Sequence, residues 1–584
     1  MLRRKSATEC IKDSFRGTES DYPLHNSICK NDLLTLQEVL SSPEASYLLT
    51  TGDGCWGTPL HVAIYLDSIE AVNLLLQAGV DVAADSSVHK QRLSPLALAA
   101  SVGNQRLLWR LWSHLRSHSE VNNIQNVDSC LFQASINGQI PILRALLGWW
   151  AWTTEAKNEA LFWAARSWKV YSAELLTSEV SFSQESLDKA LGFAVDFKPL
   201  LGDEITIEYN GDDYLEQQLL IVHLVDAGAD PNATIDRKPI ILTAARHINL
   251  VGALKVLLEK GANPNATDHG GKTALHFLGS PAAIHQSGPV VRMNEIGVRL
   301  LLGHGASVLQ GDDESGATPL HAAAFGASFN MLQLYLSSCP AEERRQTLGI
   351  KNKYGETLLH YAAAGAKCDI AEFLISQGLA VNGTNLNGWT PLHCALTLAS
   401  QGSQLNGLSK SISDALKLAE LLLSHGADPL AVTAEGWTPL HCLAIFASRK
   451  KNHTKLIQFV HDLAQRGVDI HGRATFIYWN ELGDKEPKYY YWGHEVQESI
   501  RDTGSSGATV RFDYTALHFA AAHGSMSLAK ALLELGADSL SEDARGNTVI
   551  KIATHSSLID DFPGTRQAMV RLLTEAANLD RSQE

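Results

Sequence analysis

Long apolar runs are missing from this chain. No stretch approaches the roughly 18 consecutive apolar residues needed to cross a bilayer, because the apolar residues, 45% of the total, come in short groups. Cysteine is scarce, with eight residues scattered through 584 and no framework spacing, the usage expected of reduced thiols in an intracellular setting. Positive charge is in deficit: Lys and Arg number 48 against 63 Asp and Glu, a formal net charge of −15. That balance excludes a general grip on nucleic acid, which needs clustered cations against phosphate. Met1-Leu2-Arg3-Arg4-Lys5-Ser6 is basic, as a secretion signal is, yet no apolar segment follows it. The expectation is a soluble chain of cytosol or nucleus, without membrane contact. Charged residues make up only 19%, so wholesale disorder is excluded too.

What the chain has in abundance is self-similarity. Thr58-Pro59-Leu60-His61, Thr318-Pro319-Leu320-His321, Thr390-Pro391-Leu392-His393 and Thr438-Pro439-Leu440-His441 are four copies of one tetrapeptide. Near-copies stand at Thr273-Ala274-Leu275-His276, Thr357-Leu358-Leu359-His360 and Thr515-Ala516-Leu517-His518, with a partial one at Pro23-Leu24-His25. Thr offers an oxygen to the free N–H groups of a helix start. Pro sits where its missing N–H costs nothing, Leu points to the core, and runs such as Ala362-Ala363-Ala364 let neighbouring helices approach. A second helix follows, as in Leu418-Ala419-Glu420-Leu421-Leu422-Leu423, and ends at Gly228, Gly261, Gly305, Gly426 or Gly536, where glycine supplies a left-handed turn. The segment onward to the next Thr forms a turn or finger between repeats.

The motif and its spacing resemble the ankyrin repeat, whose period is about 33 residues, and the resemblance runs from about residue 21 to about residue 575. It implies an all-α repeat solenoid of helix pairs with finger loops, about fourteen units including degenerate ones, with one inserted β-hairpin. The expected organisation is an N-terminal tail at 1–20, then divergent, Trp-rich repeats at 21–240 and regular repeats with inter-helix insertions at 241–472. An aromatic hairpin insertion at 473–512 and C-terminal repeats with a cap at 513–584 complete it. Within the divergent part, units begin near Ser129, Asn158 and Asp188 on the helical pattern alone. Trp109, Trp112, Trp149, Trp150, Trp152, Trp163 and Trp168 lie there, and filling of the inter-helix space is the favoured role over opening a groove.

Insertions around Pro281–Arg292, Ser400–Ser413 and Ser448–His453 fall between first and second helices, as surface loops do. Residues 203–216 form an acidic insertion without calcium-loop spacing. The insertion between Gly472 and Asp513 differs in kind. Phe476-Ile477-Tyr478-Trp479 and Lys488-Tyr489-Tyr490-Tyr491-Trp492 flank a Gly483-Asp484 and Pro487 turn, a hairpin signature at a finger position. Tyr478, Trp479, Tyr489, Tyr491 and Trp492 are the candidate partner-binding residues, since Tyr and Trp suit interface anchoring; packing against the adjacent repeats is the alternative.

Tests for chemistry point away from catalysis, cofactors and metal. The motif histidines resemble structural hydrogen-bonding posts between neighbouring loops. His393-Cys394 and His441-Cys442 look like metal pairs, but Cys merely replaces Ala there, and adjacent side chains on a helix diverge. Gly271-Lys272-Thr273 imitates the end of a phosphate loop, but Ala266 stands where the first glycine is needed. Arg449-Lys450-Lys451 with Lys455 is a short basic cluster suited to a solvated loop. The leading expectation is a protein-interaction scaffold or adaptor for one or more protein partners. The alternatives are a transcription co-regulator acting through a DNA-binding partner, as some fungal ankyrin proteins of biosynthetic gene clusters do, and an atypical enzyme with a small-molecule pocket among the tryptophans.

Overall fold

A computed structural model describes residues 10–11, 14–15, 21–53, 55–82, 86–88, 91–118, 128–196, 211–246, 251–279, 288–340, 342–397, 411–445, 454–478, 510–556, 559 and 563–581. The chain divides into two compact units, Met1–Asn263 and Pro264–Glu584. Each is a stack of antiparallel helix pairs, and the described residues contain fourteen such pairs, from Pro23–Lys30 with Leu33–Leu40 to Val549–His555 with Pro563–Arg581. The units expected near Ser129, Asn158 and Asp188 are the pairs opened by Asp128–Ile136, Thr154–Arg166 and Gln184–Val195.

The three ordinary insertions fall where expected, between first and second helices. They separate Ala274–Gly279 from Gly288–Gly303, Pro391–Leu396 from Ile412–Ser424, and Pro439–Ile445 from Thr454–Gln465. Most of their residues, like the acidic residues 203–210, lie outside the described residues. The C-terminal helix buries one stripe, Met569, Leu573 and Ala577, and leaves its other side polar, as the end of a repeat stack requires.

First helices start on the tetrapeptide for a definite reason. Thr58, Thr318, Thr357, Thr390 and Thr515 are N-caps in extended conformation, and the His three residues later closes a capping box back to the Thr backbone. In most capping boxes a Glu or Gln makes that return bond; an imidazole makes it here because its second nitrogen is needed elsewhere. Nδ1 accepts from the Thr N–H in every copy, at 3.2 Å for Thr58 and His61, 2.9 Å for Thr273 and His276, and 3.1 Å for Thr357 and His360. A backbone N–H can only donate, so the ring proton is on Nε2. That proton reaches the carbonyl at the start of the next repeat: His25 to Gly57 and His61 to Leu93, both at 3.0 Å, in one unit. In the other, His276 reaches Ala317 at 2.9 Å and His321 reaches Glu356 at 3.4 Å, while His360, His393 and His441 reach Trp389, Trp437 and Gly472 at 3.1 Å.

Second helices end as the glycines foretold: Gly228, Gly261, Gly305, Gly426 and Gly536 all have positive φ. A further rung lies just beyond them. Asn265 donates to the Gly305 carbonyl at 3.1 Å and accepts from Ser307 N–H at 2.7 Å; Asn382 does the same to Gly426 and Asp428 at 2.9 and 2.8 Å. The repeats that carry Asn265 and Asn382 are therefore tied to the next at both ends of the helix pair.

The motif imidazoles are buried, and the loss of hydration holds them neutral. Burial pushes His321, His393, His441 and His518 down to about 4, with backbone carbonyls opposing the shift only in part; His25, His276 and His360 are lowered for the same reason. Their folded values lie below the unfolded one, so the unfolded chain binds more protons in between. Stability is complete above about pH 6.5 and falls as the pH drops toward about 4, by roughly 1.4 kcal/mol per pH unit for each histidine titrating. Acid titration followed by circular dichroism should show this loss, and His393→Ala should flatten its slope. At neutral pH the same variant strands the Trp437 carbonyl and the Thr390 N–H and should cost about 2 kcal/mol or more.

Candidate protein-binding site

The fingers of Pro264–Glu584 are built on one pattern, an anchor that is partly buried at Asp268 and buried at Asp312, Asn352 and Asn385, followed by an exposed tip. Asp268 Oδ1 accepts from Gly270 and Lys272 N–H at 3.0 Å, Asp312 from Ser315 and Gly316, Asn352 from Tyr354 and Glu356, and Asn385 from Asn387 and Trp389. Each anchor closes its turn by pairing otherwise orphaned backbone donors. The fingers then bond to one another through the backbone. Asp313 N–H donates to the Gly270 carbonyl, Lys353 to Ser315, Leu386 to Tyr354 and Ala434 to Asn387, all at 2.9 Å. Between two of them the buried carboxylate of Glu356 accepts from Asn352 at 2.7 Å and from Asn385 at 3.3 Å.

Thr433 Oγ1 anchors the next finger in the same way, accepting from Trp437 N–H at 3.0 Å, and the residue after each anchor faces solvent: His269, Asp313, Lys353, Leu386 and Ala434. Leu386 is 75% exposed. The frame repeats while the tip residue changes from acid to base to hydrocarbon, the arrangement by which a rigid scaffold presents variable contacts. The Gly271-Lys272-Thr273 stretch is part of this frame. Gly271 has φ +74°, and a Cβ there would meet Asp313 N at 2.6 Å, so its glycine serves finger contact and not a phosphate loop.

The large insertion is an elongated finger. Ordinary fingers close on an isolated bridge, Thr267 to Thr273, Lys351 to Thr357 and Glu542 to Thr548, and the pair Arg473 and Thr515 takes the same position. From that pair two antiparallel strands, Arg473–Tyr478 and Val510–Thr515, run outward in continuous register to Tyr478 opposite Val510. The described strands of the hairpin are Arg473–Tyr478 and Val510–Thr515, with their pairing continuous from the finger bridge; the run around Tyr489–Trp492 lies outside the described residues.

The root is held on both sides. Thr475 N–H donates to the Glu435 carbonyl at 2.7 Å, and its own carbonyl accepts from Trp437 Nε1 at 3.1 Å. Arg473 donates to the Glu542 carbonyl at 2.9 Å and to Ser541 Oγ at 3.2 Å, and it pairs with Asp513 at 3.4 Å. Of the candidate residues, Tyr478 is the last described residue of the first strand, while Trp479, Tyr489, Tyr491 and Trp492 lie outside the described residues.

Both nitrogens of His393 and of His441 are committed, to the Thr N–H and to a carbonyl, and Cys394 and Cys442 are buried beside them. The tryptophans of the divergent repeats are largely fillers: Trp112, Trp152 and Trp168 are buried, and Trp152 and Trp168 donate to the carbonyls of Leu146 at 2.8 Å and Ala194 at 2.9 Å. Trp109 is half-exposed and packs edge-on against Trp149, centroids 4.7 Å apart. Arg449, Lys450 and Lys451 lie outside the described residues, as do most residues of the other insertions.

Helix pairs locked by a recurring histidine and joined by fingers define a repeat-solenoid protein. The chain carries ankyrin repeats. The ankyrin-repeat model matches residues 57–87, 387–434 and 512–544, and the three-copy ankyrin-repeats model matches 326–405, spans that hold His61, His360, His393 and His518. Similar proteins include NF-kappa-B inhibitor delta of Mus musculus, 31% identical over 30% of this chain, and RelA-associated inhibitor of Mus musculus, 52% identical over 8%. The ankyrin repeat and KH domain-containing protein mask-1 of Caenorhabditis elegans is 27% identical over 36%. The matches span 58% of the first relative's length and 5% and 7% of the other two. Repeats of this kind serve protein–protein interaction, and no described helix is long and apolar enough to cross a membrane.

Finger docking at the hairpin root can be tested with paired glycines. Gly436 and Gly426 both have positive φ, +86° and +85°, but a Cβ at Gly436 would meet the Arg473 carbonyl oxygen at 2.4 Å, while one at Gly426 meets nothing. Gly426→Ala should cost about 1 kcal/mol for the backbone conformation alone. Gly436→Ala should cost clearly more in thermal denaturation, because two backbones must separate.

Proposed function

We propose that this chain is a non-catalytic scaffold or adaptor that binds one or more proteins along the finger row of Pro264–Glu584, with the elongated finger as the principal contact. The observation behind this reading is the alternation of buried anchor and exposed tip, which keeps the backbone invariant while Asp313, Lys353, Leu386 and Ala434 vary, and which leads up to a hairpin rooted at four backbone or side-chain acceptors. Tyr478, Trp479, Tyr489, Tyr491 and Trp492 are its proposed anchors. No cofactor, metal or nucleic acid is needed for such a role.

A second reading, a co-regulator acting through a DNA-binding transcription factor, is favoured by two relatives whose names are NF-kappa-B inhibitor and RelA-associated inhibitor. It implies residence in nucleus or cytoplasm.

The test keeps both described strands and replaces residues 479–509 by a short Gly/Ser turn. Capture from native-cell extract, followed by mass spectrometry, should be lost while the melting temperature is unchanged. Single truncation of an anchoring aromatic should cost about 2 kcal/mol of binding, roughly thirtyfold in affinity. Lowered melting with capture retained would mean that these aromatics serve the core. Captured proteins without any DNA-binding transcription factor would sink the second reading.

A further inference from the structure

The histidine post lapses over five consecutive repeats of Met1–Asn263. The buried pairs Pro95-Leu96, Cys130-Leu131, Ala160-Leu161, Ala190-Leu191 and Ile240-Ile241 fix the register, and the next residue, histidine in the regular repeats, is Ala97, Phe132, Phe162, Gly192 or Leu242. None of these can donate to the following repeat. Other groups fill the space: a Cβ at Gly192 would meet Ile235 Cγ1 at 2.5 Å, and the Ala194 carbonyl accepts from Trp168 Nε1 and Gln217 Nε2, each at 2.9 Å.

Freed from the post, these first helices carry rings that bridge neighbours. Phe132 meets Trp163 with centroids 6.2 Å apart, and Phe162 meets Phe193 at 5.5 Å. Trp163 and Phe193 are only partly buried. Two cations lie on the rings. The Arg166 guanidinium is 5.6 Å from the Trp163 centroid, and the Lys189 ammonium is 4.7 Å from that of Phe162 and 6.0 Å from that of Phe193. Neither has a carboxylate partner among the described residues, and Arg166 Nε is buried without any hydrogen-bond acceptor. The chain does not lack acids to supply one, with a net charge of −15, and in the same unit it pairs Arg144 with Glu179 and Lys260 with Asp226. A guanidinium on an indole face retains its charge and its outward donors for an incoming anion.

We infer that the surface formed by Trp163, Arg166, Lys189 and Phe193 is a docking site for an acidic peptide segment bound in extended form. This rests on the reading of the chain as a protein-binding scaffold, and it adds the partner's chemistry. Arg166 follows Phe162 by one helical turn, about 6 Å of rise, and Lys189 stands over Phe162. Carboxylates at alternate positions of an extended peptide share one face about 7 Å apart, so each can meet one cation while the residue between them turns away. Aliphatic parts of the peptide cover the rings.

The test uses the full chain and a fluorescein-labelled peptide alternating glutamate and leucine, followed by anisotropy at low salt. Binding is expected, weakening as salt rises, and Arg166→Gln and Lys189→Gln should each lower affinity roughly tenfold or more. The glutamine-for-glutamate peptide should not bind. Lys189 is exposed, so its variant keeps the test usable if Arg166→Gln loosens the fold. Absence of binding, binding by both variants as tight as by the parent, or equal binding of a lysine-for-glutamate peptide would overturn the inference. The protein lacking residues 479–509 should bind the peptide like its parent. Peptide binding that fails while extract capture still depends on the hairpin refutes this site alone; capture that ignores the hairpin refutes the finger-row reading and leaves the peptide result to stand on its own.

Discussion

One neutral imidazole, accepting at Nδ1 and donating at Nε2, holds each regular repeat to the next. The ring bonds a helix start on one side and a carbonyl of the following repeat on the other, across a buried space where an unmade hydrogen bond is expensive. A carboxylate could make the first bond but has no proton for the second. An alkyl group could fill the space and would leave both backbone groups unpaired. In the chain from His276 to His441 every such demand is met by the same side chain, and the finger backbone and the asparagine rungs stand on that register.

Function follows from how the lattice divides its residues. Anchors such as Asp312, Asn352 and Asn385 are buried and closely similar, and the next residue in each finger joins the frame through its backbone while its exposed side chain differs from finger to finger. The same logic admits the long insertion. A finger closes at a bridge such as Lys351 with Thr357, so extra chain beyond Arg473 and Thr515 lengthens a hairpin without moving a helix. Where the histidine is replaced, at Phe132, Phe162 and Gly192, the first helices instead meet through rings, and cations gather on those rings without acids.

Much of this was legible in the amino-acid order. The tetrapeptide located the first helices, the glycines located the ends of second helices, and the Thr–His spacing announced a polar post, because each is a local demand of backbone geometry. The insertions between helices were legible for the same reason. The strand Val510–Thr515 was not, because its pairing with Arg473–Tyr478 joins positions about forty residues apart and follows from the bridge at the root, not from local composition. The Arg166 and Lys189 pair was missed as well. The tryptophan positions carry no sign of it; the informative positions are the non-histidine residues in the histidine register.

The most direct test of this account is the tautomer and titration of the motif imidazoles, measured by long-range proton–nitrogen correlation on protein labelled with nitrogen-15 in histidine. The account predicts that His321, His360, His393 and His441 are protonated on Nε2 alone at neutral pH, that His360 titrates below the ordinary value, and that His321, His393 and His441 remain neutral until the pH approaches the value near 4 to which burial drives them. Imidazoles that exchange between tautomers, or that titrate near the ordinary value of about 6.5 with the fold intact, would contradict it.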